Sequence, residues 1–228
     1  MKRAISRKES AINFREADTR LLVVLGLGCG VAMTVMVLGA ISSAFGSTGG
    51  EPMTVVKSTV NEVVGVLNDK QTSRDARHRK LISLVSDHFD FSDMARSALG
   101  YHWRELSEDQ RQRFVPLFTA FMQDAYLNKL DGYAGQTIEF LNETPNGAGY
   151  AEVNTRVIQT NGDPPIRVRY LLKRSGDEWK VYDVTVDDIS ITANYRAQFN
   201  RVITNQGFDA LINTMRAKQS ELSASLGL

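Results

Sequence analysis

Apolar positions along this chain change their spacing twice, and the changes divide it into helix-forming flanks around a strand-forming centre. From Val55 to Asp69, the residues Val56, Val60, Val63, Val64 and Leu67 recur at helical spacing, which predicts an amphipathic helix. A second helix is predicted from about Ser73 to Val85, with the basic run Arg74 to Lys80 in solvent. Asp90 or Ser92 offers an N-cap for a short helix through Leu99, and Gly100 ends it. Ser107 followed by Gln110 has the form of a capping box and opens a longer helix. The apolar positions of that helix, Phe114, Leu117, Phe118, Phe121, Met122 and Ala125, make one strongly apolar and partly aromatic face. Pro116 lies inside it, where the missing N–H and the bulk of the ring predict a kink.

The period then falls to two. Thr137 to Leu141, Tyr150 to Thr160, Ile166 to Arg174 and Trp179 to Asp187 read as strands, separated by the turn sequences NETPNGAG, NGDPP and SGDE. In the third run Ile166, Val168, Tyr170 and Leu172 point one way while Arg167, Arg169 and Lys173 point the other, so one face is covered and one is wet. Helical spacing returns with Tyr195, Phe199, Val202 and Ile203. Gly207 interrupts it, and Phe208, Leu211, Ile212 and Met215 begin a further stripe. The expected fold is therefore α+β, with helices packed on one face of a curved antiparallel sheet of about four strands. A kinked helix over such a sheet leaves either a plain core or a cavity, and periodicity does not separate the two.

Ahead of this domain stands an uncharged apolar run, Leu21 to Ile41, preceded by Lys2, Arg3, Arg7, Lys8, Arg15 and Arg20 against Glu9, Glu16 and Asp18. That pattern is an export signal or a membrane anchor. Its length favours an anchor, because a spanning helix needs about 20 residues and a signal core about 7 to 15. Ser42 and Ala44 nevertheless stand at the small-residue positions of a candidate cleavage site before Phe45. Either way the basic flank stays inside and everything after about Phe45 is exported. The expected organisation is a signal peptide or anchor over 1–44, a flexible spacer over 45–54 and one folded domain over 55–228.

The leader takes six of the 27 basic and three of the 26 acidic residues, leaving 21 against 23, a balance that gives no reason to expect nucleic-acid binding. Cys29, the single cysteine, lies in the apolar run, so the exported part has no disulfide and no thiol nucleophile. His78, His88 and His102 form no zinc-binding spacing, and the Asp87, His88 and Asp90 group reads as a capping and surface cluster. Neither a G-x-S-x-G elbow nor a phosphate-binding loop is present. Asp183, Asp187 and Asp188 are suited to turns and helix caps, although an acid–base pairing is open to them. No cofactor and no catalytic residue are expected.

Two segments carry a resemblance. The first runs FDFSDMARSALGYHWRELSEDQRQRF and then LFTAFMQDAYLNKL; the second is GDEWKVYDVTVDDISITANYRAQFNRVITNQGFDALINTMRAK. With the strands between them they resemble the toluene-tolerance or MlaC family of periplasmic phospholipid carriers over roughly Val55 to Lys218. The resemblance implies helices beside a sheet enclosing a deep apolar pocket, with acyl tails inside and the headgroup outside. It also implies movement of phospholipid between the two membranes of a Gram-negative envelope. The implied partners are an inner-membrane ABC transporter complex with an MlaD-like component and an outer-membrane lipoprotein complex with an MlaA-like component. Periodicity and resemblance together place Phe114, Phe118, Phe121, Val168, Tyr170, Val184, Tyr195 and Phe199 on facing elements as the candidate lipid-lining residues. Arg167, Arg169 and Lys173 are expected to be a solvated sheet face, with docking to the transporter as their alternative role. An uncleaved leader would tether the domain to the inner membrane. Two other readings stay open: a binding protein for a hopanoid or other apolar molecule, and a small cone-fold isomerase or dehydratase, which His102 or Asp183 pointing into the pocket would favour.

Overall fold

The structure, a computed structural model, describes residues 50–130 and 132–226. The leader and most of the spacer, with the choice between signal and anchor, lie outside the described residues. Among the described residues no helix is long and apolar enough to cross a membrane.

Helix α1, Pro52–Asn68, begins three residues before the predicted start at Val55, since Pro52 fits the first helical turn, where its missing N–H costs nothing. Helix α2, Arg74–His88, is capped by Ser73, whose side chain accepts from the Ala76 N–H. Its basic run is not uniformly wet, because His78 turns inward beside Leu81. In α3, Phe91–Leu99, Asp90 rather than Ser92 is the cap, accepting from the Asp93 N–H at 2.8 Å. Gly100 closes this helix at φ 58°, and a Cβ there would stand 3.0 Å from the Arg196 side chain. After the short α4, His102–Glu105, the capping box forms reciprocally: Gln110 N–H donates to Ser107 Oγ at 3.2 Å and Ser107 N–H to Gln110 Oε1 at 2.8 Å. It opens α5, Glu108–Leu130, which runs on through Pro116. That proline and Gln112, whose carbonyl loses its helical partner, are both on the exposed side, where water is available.

The strands β1 (Thr137–Pro145), β2 (Tyr150–Ile158), β3 (Ile166–Ser175), β4 (Glu178–Val186) and β5 (Ile189–Ser190) pair in sequence order, each antiparallel to the next. The meander thus has one strand more than the alternation predicts. Asp187 and Asp188 both adopt positive φ, 44° and 69°, and form the two-residue hairpin that returns β5 against β4. Strand β1 is also longer than expected, because a bulge between Phe140 and Asn142 shifts the alternation half-way along it. Beyond that bulge Glu143 accepts from the Met53 N–H at 2.7 Å, capping α1 from the sheet, and Lys57 lies over the Phe140 ring.

Helices α6, Ile191–Gln206, and α7, Phe208–Leu226, follow on either side of Gly207, which stands at φ 85°. The main core joins α3, α5, α6 and α7 to the inner face of the sheet, and a smaller cluster of Val66, Leu67, Leu81 and Leu127 ties α1 and α2 to α5. On the outer face Arg167 pairs with Asp188 at 2.7 Å, and Arg169 reaches Asp188 and Glu152 at 3.4 and 3.9 Å. Lys173 departs from the expectation of a solvated residue. Its ammonium sits between Asp90, at 2.9 Å, and Asp93, with 19% of the side chain exposed. The cause is local: Asp90 N–H donates to the Val181 carbonyl, which draws the α2–α3 junction onto β4 beside Lys173.

Candidate functional site

Between α1, the end of α2, the C-terminal half of α5 and the inner face of the sheet lies a cavity of about 290 Å³. Its position follows from how α5 is divided. Phe114, Phe118 and Phe121 share one face, and that face meets α6 and α7. Met122, Tyr126, Leu127 and Leu130 lie further round the helix, from about a fifth to about half a turn, and face the cavity. Opposite them α1 contributes Val60, Val63, Val64 and Leu67, and the sheet contributes Ile138, Val157, Ile166, Val168, Tyr170, Val184 and Val186. Phe89, Phe91, Met94 and Ile191 extend the wall towards the core.

Of the eight residues placed on the site by sequence, Val168, Tyr170 and Val184 stand on the cavity wall. Phe114, Phe118, Phe121, Tyr195 and Phe199 lie off it. They form an aromatic block: Phe121 meets Tyr195 edge-on at 5.6 Å between ring centres, Phe114 meets Phe199 at 6.0 Å, and Phe118 meets both Tyr195 and Phe199. None of the five is more than 3% exposed. With all five rings buried and in mutual contact, this part of the molecule is packed core. It closes the cavity at the N-terminal side of α5.

The wall residues that the sequence reading did not single out as lining come largely from α1 and the end of α5. A signal was present: the adjacent Val63 and Val64 make the α1 stripe wider than a single packed interface requires. Many wall residues are only half-buried, among them Val60, Val63, Val64, Phe89, Tyr126, Val157, Val168 and Val186, because the surface they expose faces the void.

Among the described residues no Asp, Glu, His, Lys or Arg stands on the wall. Burial pushes the Tyr170 phenol up to about 12, a hydrogen bond with Thr155 offsetting part of the shift, so it presents a neutral hydroxyl. His102 is buried away from the cavity, within hydrogen-bonding distance of Glu105 (3.2 Å) and Asn200 (3.0 Å). Asp183 is occupied as a cap and accepts from Val184 N–H, Ser190 Oγ and Thr192 N–H at the start of α6. The inward-pointing acid or base that an isomerase or dehydratase needs is therefore supplied by neither residue. Among the described residues no group of three His, Cys, Asp or Glu is placed to hold a metal ion. What this site offers chemically is a dry apolar surface.

Comparison with known proteins agrees with that character. The family model for the MlaC protein matches residues 57–217. The chain is 29% identical over 127 residues to the intermembrane phospholipid transport system binding protein MlaC of Haemophilus influenzae, covering 54% of this chain and 59% of that relative's length. It is also 29% identical over 163 residues to the toluene tolerance protein ttg2D of Pseudomonas putida, covering 69% of this chain and 75% of the relative. Among solved structures, the phospholipid-binding protein from Ralstonia solanacearum, determined in complex with a phospholipid, superposes with a TM-score of 0.67. It shares 22% identity, and the match covers 76% of this chain and 99% of that one, so the fold is common to both.

Proposed function

The chain belongs to the MlaC family, and from that premise we propose that it is an exported phospholipid carrier, working between the inner and outer membranes and holding acyl tails in its apolar cavity. The observation that carries this reading is the cavity itself, walled mainly by aliphatic and aromatic side chains and, among the described residues, by no charged group. Each buried methylene contributes about 0.8 kcal/mol, so two tails with roughly 30 methylenes between them represent on the order of 24 kcal/mol of apolar burial. A carrier has to return almost all of that to a membrane, and a wall with no acid, base or nucleophile binds tails without altering them.

Val168, Tyr170 and Val184 are proposed to touch the tails. The aromatic block of Phe114, Phe118, Phe121, Tyr195 and Phe199 sets the depth of the cavity rather than its surface. An inner-membrane ABC transporter with an MlaD-like component and an outer-membrane lipoprotein complex with an MlaA-like component are the proposed partners. The periplasm is the proposed compartment, on the strength of the apolar run and its basic flank. Removal of residues 1–44 makes the protein a diffusing shuttle, and retention makes it a fixed donor or acceptor at the inner membrane. An intact leader on protein from washed membranes would identify the second form.

The test is native mass spectrometry of protein purified without detergent from the envelope of expressing cells, followed by extraction of what it holds. Two-chain phospholipid near one per protein is expected. Protein that is lipid-free on isolation and still lipid-free after incubation with phospholipid vesicles would overturn the reading.

A further inference from the structure

Few polar side chains reach the cavity wall, and most of them are occupied within the protein. Thr59 Oγ donates to the Val55 carbonyl at 2.8 Å, Gln123 Nε2 to Ser86 Oγ at 2.9 Å and the Tyr133 hydroxyl to the Gln136 carbonyl at 3.2 Å. The Thr155 hydroxyl beside Tyr170 donates to the Val168 carbonyl at 3.2 Å. Gln136 differs. Its Oε1 accepts from the Ala134 N–H at 2.9 Å, and because an N–H requires an oxygen, this bond fixes which way the carboxamide faces. Among the described residues Nε2 then has no acceptor, although the side chain is 5% exposed and stands on the wall. Nε2 is not sealed off, since it keeps accessible surface, and a ligand in the cavity can supply the acceptor that the protein does not.

We propose that Gln136 is a specificity residue whose Nε2 donates to an ester carbonyl of the bound acyl lipid. The assignment rests on the carrier reading above. Gln136 sits where α5 has ended and β1 is about to begin, beyond the end of α5 opposite the aromatic block, and tails inserted from this end would run towards Met94, Val184 and Ile191. With the tails inside and the headgroup in water, the ester is the acceptor that comes to rest at this boundary. A phosphate oxygen fits less well, because a buried neutral donor cannot replace the hydration a charged group would lose.

The test uses vesicles containing equal amounts of a diester phosphatidylglycerol and its dialkyl ether analogue, with captured lipid measured by mass spectrometry. Wild-type protein is expected to hold the diester in about three- to ten-fold excess, the preference one neutral hydrogen bond provides. Gln136→Glu keeps an oxygen for Ala134 and loses the donor, whereas Gln136→Met keeps the length and loses both. Each variant's own capture of ether lipid is the reference, and neither variant should prefer the diester over it. Independently of any variant, the Gln136 side-chain amide protons of the wild type should shift downfield on loading with diester lipid and not with diether lipid. Equal capture of the two lipids by wild type, a preference retained in a variant that still captures ether lipid, or unmoved amide resonances would each overturn the assignment. Capture of neither lipid by wild type would sink the carrier reading itself.

Discussion

At the scale of single residues the protein separates those that fill space from those that face it. Phe118 and Val168 both read as inward-facing apolar positions, yet one is locked among rings and the other borders a void. Phe118→Ala should therefore cost about 3–5 kcal/mol of stability, seen as a lower denaturant midpoint. Val168→Phe should leave that midpoint unchanged or raised while reducing captured phospholipid, and a marked loss of stability instead would mean that Val168 has no free space before it. Periodicity found both residues because it reports which way a side chain points. It could not rank them, since whether atoms from a neighbouring element arrive to fill the space depends on backbone spacing that no local pattern encodes. Lys173 was misplaced for the same reason: its alternation is outward, and only the docking of Asp90 onto β4 brings it carboxylate partners. Burial pushes the Asp90 carboxyl up, but the Lys173 hydrogen bond, the Asp93 N–H and the charges of Lys173 and Arg96 outweigh it, leaving it below its ordinary value of 3.8. Lys173 likewise ends above its ordinary 10.5, because its bonds to Asp93 and Asp90 outweigh burial. The Asp90 contribution is present above pH 3.8 and is lost as pH falls through its lower folded value. The Lys173 contribution is present below pH 10.5 and is lost as pH rises through its higher folded value. Lys173→Met should accordingly lower Tm at neutral pH and flatten both the acid-side and the alkaline-side loss, so that its profile converges on wild type towards either extreme. A Tm profile parallel to wild type would contradict this.

At the scale of elements, caps and turns were the most legible feature, because they depend on chemistry within a few residues. Ser73, the Ser107 and Gln110 pair, Gly100 and Gly207 all act where the sequence puts them. The fifth strand was not legible: two residues are too short for an alternation, and its hairpin uses aspartates in place of glycine or asparagine. Nor does any local signal reveal that α1 is capped by Glu143, ninety residues away. That contact holds a cavity wall against the sheet. Replacing Glu143 with Ala should cost about 0.5–2 kcal/mol, and the effect should be concentrated in α1, with faster amide hydrogen exchange there and faster loss of bound lipid. Exchange that accelerates evenly over the whole domain would argue that α1 does not move as a unit.

At the scale of the whole molecule, the class of fold, its order of helices, meander and helices, and its family were all readable before any coordinates, while the location of the cavity was not. The architecture explains the difference. The N-terminal half of α5 belongs to a solid core shared with α6 and α7, and its C-terminal half leans over a space that α1 and the sheet only enclose. Stability and the proposed tail binding are therefore carried by different lengths of one helix, which lets the cavity wall vary without threatening the fold. The same division gives the protein an unusual response to hydrostatic pressure. Voids favour the unfolded chain under pressure, because unfolding lets water occupy volume that the folded state wastes. Protein stripped of lipid should consequently unfold at a distinctly lower pressure than protein loaded with it, a gap far wider than their difference in Tm would suggest, and Val168→Phe should narrow that gap from the stripped side.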